Sequence, residues 1–168
     1  MLQLMWFRTD LRVTDNSALT AAMQAGPTVA VFLLSPGQWQ QHDDAPCKVD
    51  FWLRNLGELS RALQHLNVPL LIREADHWSA APNVLGPLAQ ELQASAVHVN
   101  EEYGVNESRR DEVVAAALDE LGVNFRSHLD RLLFKPGSVL TRTGTYFKVY
   151  SQFRGVCYQR LHLSLIHI

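Results

Sequence analysis

Four short apolar runs constrain this chain more than any other feature: Leu2–Phe7 (LQLMWF), Thr28–Leu34 (TVAVFLL), Val68–Arg73 (VPLLIR) and Ala96–Asn100 (AVHVN). None shows the strict alternation of apolar and polar positions that a strand with one wet face would carry. Such runs belong to strands buried on both faces. A fifth, weaker run is VNFRSH, Val123–His128. Between the runs lie segments of helical spacing, Ser17–Gln24, Lys48–His65, Asn83–Gln93 and Glu107–Leu121, the third of them interrupted by Pro87. In the last, Val113, Val114, Ala117, Leu118 and Leu121 fall on one stripe, while Arg109, Arg110, Glu112, Asp119 and Glu120 occupy much of the rest. Strands and helices taking turns through short connections imply an α/β fold: a five-stranded parallel sheet, doubly wound and Rossmann-like, with helices on both faces and right-handed crossovers.

Composition narrows the function. With 168 residues, 47% hydrophobic and 19% charged, the chain can bury one sizeable core and is neither disordered nor fibrous. A net charge of −2 gives no general attraction to a polyanion. Cys47 and Cys157 are too few for a disulfide framework and fit a reducing compartment, so a cytoplasmic location is expected. No run approaches the roughly 18 apolar residues of a membrane span, and no membrane partner is expected.

In open parallel sheets ligands sit outside the carboxyl ends of the strands, where strand order reverses. Three segments qualify here: RTDLRVTDN after the first run, SPGQWQQHDDAPCK after the second and EEYGVNESRRDE after the fourth. No G-x-G-x-x-G and no G-x-x-x-x-G-K-[ST] follows any of them, and neither Cys-x-x-Cys nor His-Glu-x-x-His occurs, so no metal site is expected. The first segment carries Arg8, Asp10, Arg12 and Asp15 within a few residues of a buried strand. Charges leaving water need partners, so Arg8 and Asp10 are read as structural, with Asp15 or Asn16 capping the next helix.

The same residues resemble a known family. W-F-R-x-D-L-R-x-x-D-N-x-A-L, Trp6 to Leu19, is similar to the amino-terminal signature of the DNA photolyase and cryptochrome family; NEEYGVNESRRDE, Asn100 to Glu112, resembles its N-x-E-Y-x-x-N-E-x-x-R-D segment; and PGSVLTRTGTYFKVYSQF, Pro136 to Phe153, looks like the stretch that closes its α/β domain. The resemblance implies an antenna-binding α/β domain over residues 1–130, a closing segment over 131–161 that starts an interdomain connection, and a tail over 162–168 that matches nothing in the family. It implies the amino-terminal part of a deoxyribodipyrimidine photolyase, a light-driven DNA-repair lyase. The helical domain that binds FAD and damaged DNA, and on which this one docks, is absent, so the chain alone is expected to be inactive and to hold no catalytic residue. The alternatives are a cryptochrome-like blue-light photoreceptor and a nucleotide-binding module with a deazaflavin or flavin ligand.

For the folate type of the family the resemblance assigns 5,10-methenyltetrahydrofolate as antenna. It carries the contacts onto Asn106 and Glu107, with His42 and Glu102 beside them. A carboxylate at 107 would accept the amino group and ring N–H of a pterin edge as a charge-assisted pair. The plainer alternative makes Asn106 an N-cap and Glu107 a partner of the helix dipole. Trp39 is read as a packing residue that closes its loop on the sheet. Trp6, Trp52 and Trp78 are read as core, and Arg109, Arg110 and Asp111 as a charged helix surface or a domain contact.

Overall fold

A computed structural model describes the backbone of residues 1–165 and the side chains of residues 1–161. The five strands are β1 (Leu2–Phe7), β2 (Thr28–Leu34), β3 (Leu70–Glu74), β4 (Ala94–Asn100) and β5 (Asn124–His128). All pairings are parallel and the order is β3-β2-β1-β4-β5. Strand order therefore reverses at β1, which runs down the middle of the sheet.

The helices are α1 (Ser17–Ala25), α2 (Pro36–Gln41), α3 (Pro46–His65), α4 (Ala81–Glu91), α5 (Val105–Glu120) and α6 (Tyr150–Leu165), with one 3-10 turn at Trp78–Ala80. The uninterrupted apolar runs have the expected cause, because each inner strand feeds two cores. Leu4, Trp6, Val31, Leu33, Val97 and Val99 point to one face and meet Leu85 and Leu88 of α4 and Val114 and Leu118 of α5. Met5, Phe7, Ala30 and Phe32 point to the other and meet Ala18 and Leu19 of α1 and Leu56, Leu59 and Leu63 of α3. Side chains alternate across a strand, so a run packed on both sides is apolar at almost every position, and the polar residues Gln3 and His98 that it buries bond each other.

The departures from expectation are local. β3 starts at Leu70 rather than Val68, and β4 at Ala94 rather than Ala96. The helix α4 runs through Pro87 and begins at Ala81. Two further helices, α2 and α6, lie outside the segments of helical spacing. α2 has no side-chain cap of its own, and its amino end is satisfied from elsewhere: Gly37 N–H donates to Asp76 Oδ1 at 2.7 Å and Gln38 N–H to the Asp76 carbonyl at 2.9 Å. A Cβ at Gly37 would meet that carboxylate, so a larger residue there would push Asp76 out of its capping position.

The chain forms two compact units, Met1–Asp130 and Arg131 onward. The second contains α6, the threonine cluster Thr141, Thr143 and Thr145, and a bond from Arg160 Nη1 to the Ser138 carbonyl at 2.7 Å. The tail expected over residues 162–168 lies outside the residues with described side chains; the backbone of 162–165 continues α6.

Candidate functional site: a cleft at the carboxyl ends of the strands

The charges after β1 build the floor of the site. Arg8 is 8% exposed and Asp10 5% exposed, so both need partners. Arg8 Nη1 donates to both carboxylate oxygens of Asp111, at 2.7 and 2.6 Å, Nη2 donates to the Asn100 carbonyl, and Nε lies 3.4 Å from Glu102. Asp10 accepts from the Arg8 backbone N–H at 2.9 Å and from Asn100 Nδ2 at 2.6 Å.

The amino end of α1 is tied into the same cluster. Its first three N–H groups each meet a different side chain: Ser17 donates to Asp130, Ala18 to Asn100 and Leu19 to Asn16. Asn16, not Asp15, is therefore the N-cap, and Asp15 takes the left-handed turn before it with φ of 50°. The motif thus fixes β1, β4, α1 and α5 relative to one another at the mouth of the sheet.

Above this floor lies a cavity of about 210 Å³ between the ends of β1, β2 and β4. All four tryptophans of the chain, Trp6, Trp39, Trp52 and Trp78, line it. Only Trp6 is buried in the core as expected; the other three are half-buried on the cavity wall. Trp39 and Trp52 are tilted against each other with centroids 5.9 Å apart. Cations cover the indoles: Arg8 lies 5.1 Å and Arg110 5.0 Å from the Trp6 centroid, Arg110 5.1 Å from Trp78, and Lys48 4.7 Å from Trp52. Arg110 is thus no surface residue. It is 8% exposed and bonded to Glu102 at 2.8 Å and Asp111 at 2.7 Å. A helical stripe of charges conceals this inward position, because the partner carboxylate at 102 lies in the preceding loop.

The candidate ligand residues divide between two adjoining hollows. Glu107 and Glu102 line the tryptophan cavity, Asn106 lines a second hollow of about 380 Å³, and His42 lines both. The Asn106 and Glu107 side chains therefore do not converge on one space. α5 begins at Val105 with Gly104 as N-cap, which puts Asn106 and Glu107 inside the first turn and removes Asn106 from the capping role. The Glu107 carboxylate folds over Gly104, where a Cβ would collide with it, and among the described residues it has no hydrogen-bond or ion-pair partner. His42 closes α2; its ring sits edge-on to Trp78 at 5.6 Å and bonds Gln38 at 2.8 Å.

Glu102 is differently placed. Its carboxylate takes Arg8, Arg110 and the Thr9 hydroxyl, the last at 2.5 Å. Burial opposes its charge, but Arg8, the Thr9 hydrogen bond and Arg110 outweigh that and hold its pKa below the ordinary carboxylate value. It holds the wall together through these three partners. The same logic lowers Asp130: burial opposes ionisation, while the Ser17 N–H and Arg12 favour it.

A planar aromatic ligand fits this chemistry: indole faces to stack on, and one unpartnered carboxylate to accept N–H groups. Among the described residues no cluster of His, Cys, Asp and Glu could hold a metal ion. No described helix is long and apolar enough to cross a membrane.

Fold and cleft together define a doubly wound α/β domain with an aromatic-walled site at the strand-order reversal. The family model for DNA photolyase matches residues 3–165, and the chain belongs to the DNA photolyase family. It is 40% identical over 154 residues to the deoxyribodipyrimidine photo-lyase of Vibrio cholerae, which covers 91% of this chain and 33% of that protein. It is 32% identical over 160 residues to the Escherichia coli protein of the same name, with 94% and 34% covered. Among solved structures, a bacterial class III photolyase from Agrobacterium tumefaciens superposes with a TM-score of 0.70 at 29% identity, over 92% of this chain and 31% of that one. A cryptochrome from Synechocystis shares the fold with a TM-score of 0.82 at 21% identity, over 94% of this chain and 33% of that one. The chain thus spans about a third of the length of the relatives it matches.

Proposed function

We propose that this chain is the antenna-binding domain of a cytoplasmic deoxyribodipyrimidine photolyase, and that it holds 5,10-methenyltetrahydrofolate in the cleft at the ends of β1, β2 and β4. The observation that carries the reading is the unpartnered Glu107 carboxylate on a tryptophan-rich wall whose other Asp, Glu, Lys and Arg side chains are paired. The folate supplies near-ultraviolet absorption, and its excitation passes to FAD in a helical domain that also binds the damaged DNA and packs against this one. By itself the α/β domain carries out no repair.

The protein's part is placement. Glu107 accepts the N–H edge of the pterin, and His42 and Trp78 wall the passage to the second hollow. Arg8, Arg110, Glu102 and Asp111 neutralise one another beneath the ring, so the floor stays rigid and offers no stray charge. Energy transfer depends steeply on separation and orientation, and a rigid floor fixes both. Glu107→Gln keeps the size and loses the charge-assisted pair, so in a full-length protein folate binding should fall at least tenfold, consistent with the roughly 1.5–3 kcal/mol of such a bond. Unchanged binding in an equilibrium titration would sink the assignment.

One observation favours a second reading. Asn106 and Glu107 face different hollows, and the tryptophan cavity suits a flavin or deazaflavin ring system as well as a pterin. Competition between methenyltetrahydrofolate and FMN for the same site decides between them.

A further inference from the structure

The net charge of −2 averages two opposite parts. None of the seventeen Asp and Glu residues lies beyond Asp130, whereas six of the fifteen Lys and Arg residues do, so residues 131–168 hold +6 and residues 1–130 hold −8. The second unit thus has no acidic side chain of its own to neutralise Lys135, Arg142, Lys148 or Arg154, and all four are exposed. Exposed rings stand among them: Tyr146, Tyr150, Phe153 and Tyr158.

Local bonds fix how these groups are presented. Arg142 sits in a turn closed by the Thr145 N–H on Thr141 Oγ1 at 3.1 Å and by the Thr141 N–H on the Thr145 carbonyl at 2.8 Å. Phe147 meets Phe153 edge-on at 6.2 Å, which ties the segment carrying Lys148 to α6. On α6 the residues Tyr150, Arg154 and Tyr158 are one turn apart, so ring, cation and ring share a face. A helix that lies on a membrane keeps its cations and its aromatics on opposite faces. Interleaving suits a surface that tracks phosphates and stacks on bases. A second copy of the chain is a poorer match, because Asp44, Asp50, Glu58, Glu102, Asp111 and Asp130 of the acidic unit already face cations of their own.

We propose that the unit after Asp130 is a binding surface for single-stranded nucleic acid: Lys135, Arg142, Lys148 and Arg154 meet backbone phosphates, and Tyr150 and Tyr158 stack on bases. The contact is independent of base sequence and of any lesion, because every nucleotide offers a phosphate and a base face. It does not rest on the antenna reading, and each stands if the other falls.

The test is the fluorescence anisotropy of a labelled oligothymidylate of about twenty nucleotides, titrated with the purified chain at several salt concentrations. Anisotropy should rise and saturate at low salt, and log K should fall against log salt with a slope of about −3, about 0.7 for each of the four cations. Lys148→Gln and Arg154→Gln should each make the slope shallower by about 0.7. Tyr150→Ala should weaken binding at least about fivefold, while Tyr150→Phe retains it. All three residues are exposed, so the replacements leave packing intact. No saturable binding at low salt, a slope near zero, or a slope unchanged in both glutamine variants would overturn the proposal. So would equally tight binding of the matching duplex, whose base faces are stacked away, or of polyglutamate, which would make the surface a site for an acidic protein segment. Self-association that salt dissolves, without binding of the oligonucleotide, would overturn it in favour of a second copy of this chain.

Discussion

Asn100, the last residue of β4, makes the number of its bonds felt. Its carbonyl takes Arg8, its Oδ1 takes the Ala18 N–H at 2.9 Å, and its Nδ2 donates to Asp10 at 2.6 Å and Asn16 at 2.9 Å. At 2% exposure, none of these groups has water as a substitute. Asn100→Ala should therefore lower unfolding free energy by roughly 2–4 kcal/mol, since it leaves a buried carboxylate and a helix N–H short of partners. Urea denaturation at neutral pH checks this; a loss below about 1 kcal/mol would mean that water or a shifted side chain replaces the amide. That Arg8 and Asp10 are structural could be argued from the sequence, because buried charges need partners. Which partners they have could not, since Asp111 is 103 residues away from Arg8 and Asn100 is 90 from Asp10. The tryptophans show the opposite failure. Aromatics in apolar and amphipathic segments are usually core, and nothing local marks Trp39, Trp52 and Trp78 as wall residues of one cavity.

At the scale of elements, β4 and β5 carry a pair whose titration should be visible. His98 is 1% exposed, stacks on His128 with centroids 5.2 Å apart, and bonds Gln3 Oε1 at 3.0 Å. Gln3 uses its Nε2 on Met1 and Ser95, so its oxygen faces His98 Nε2–H, and His98 Nδ1 accepts from His128 Nε2–H at 3.0 Å. Burial, the neighbouring His128 and Arg126 lower the His98 pKa from 6.5 to about 4, and His128 moves in the same direction through burial and Arg126. The sign follows from linkage: between these values the unfolded chain binds a proton that the folded chain refuses, so stability rises with pH across the window. Stability should be full above about pH 6.5 and decline toward pH 4, with His98 alone accounting for about 3 kcal/mol. The lowered carboxyls of Glu102 and Asp130 contribute the same sign only below their unfolded values of 4.5 and 3.8. Urea midpoints at pH 7 and pH 5 isolate the histidines; a His98→Gln variant should show a clearly flatter slope between them, and an unchanged slope would contradict the assignment. Element positions were largely legible, because burial on two faces leaves a continuous apolar run. α2 was not, because its six residues are capped by Asp76 from the loop after β3, a partner no local pattern reveals.

For the whole molecule, the sheet type followed from alternation, and a cavity lies at the strand carboxyl ends, where the rule for parallel sheets directs the search for a ligand. The order β3-β2-β1-β4-β5 did not, because nothing in a parallel strand names its neighbours. The unit after Asp130 leaves Tyr146 74%, Tyr150 72% and Tyr158 59% exposed. Large exposed aromatics favour association, so the chain should self-associate as concentration rises, and light scattering that reports only monomer at high concentration would contradict this. The central claim, that the cleft holds a folate antenna, is tested most directly by near-ultraviolet absorption of the purified chain during addition of methenyltetrahydrofolate. The account predicts a red-shifted band that saturates at one folate per chain and is lost in Glu107→Gln. A spectrum that remains the sum of free folate and protein, for this chain and for a full-length protein alike, would contradict it.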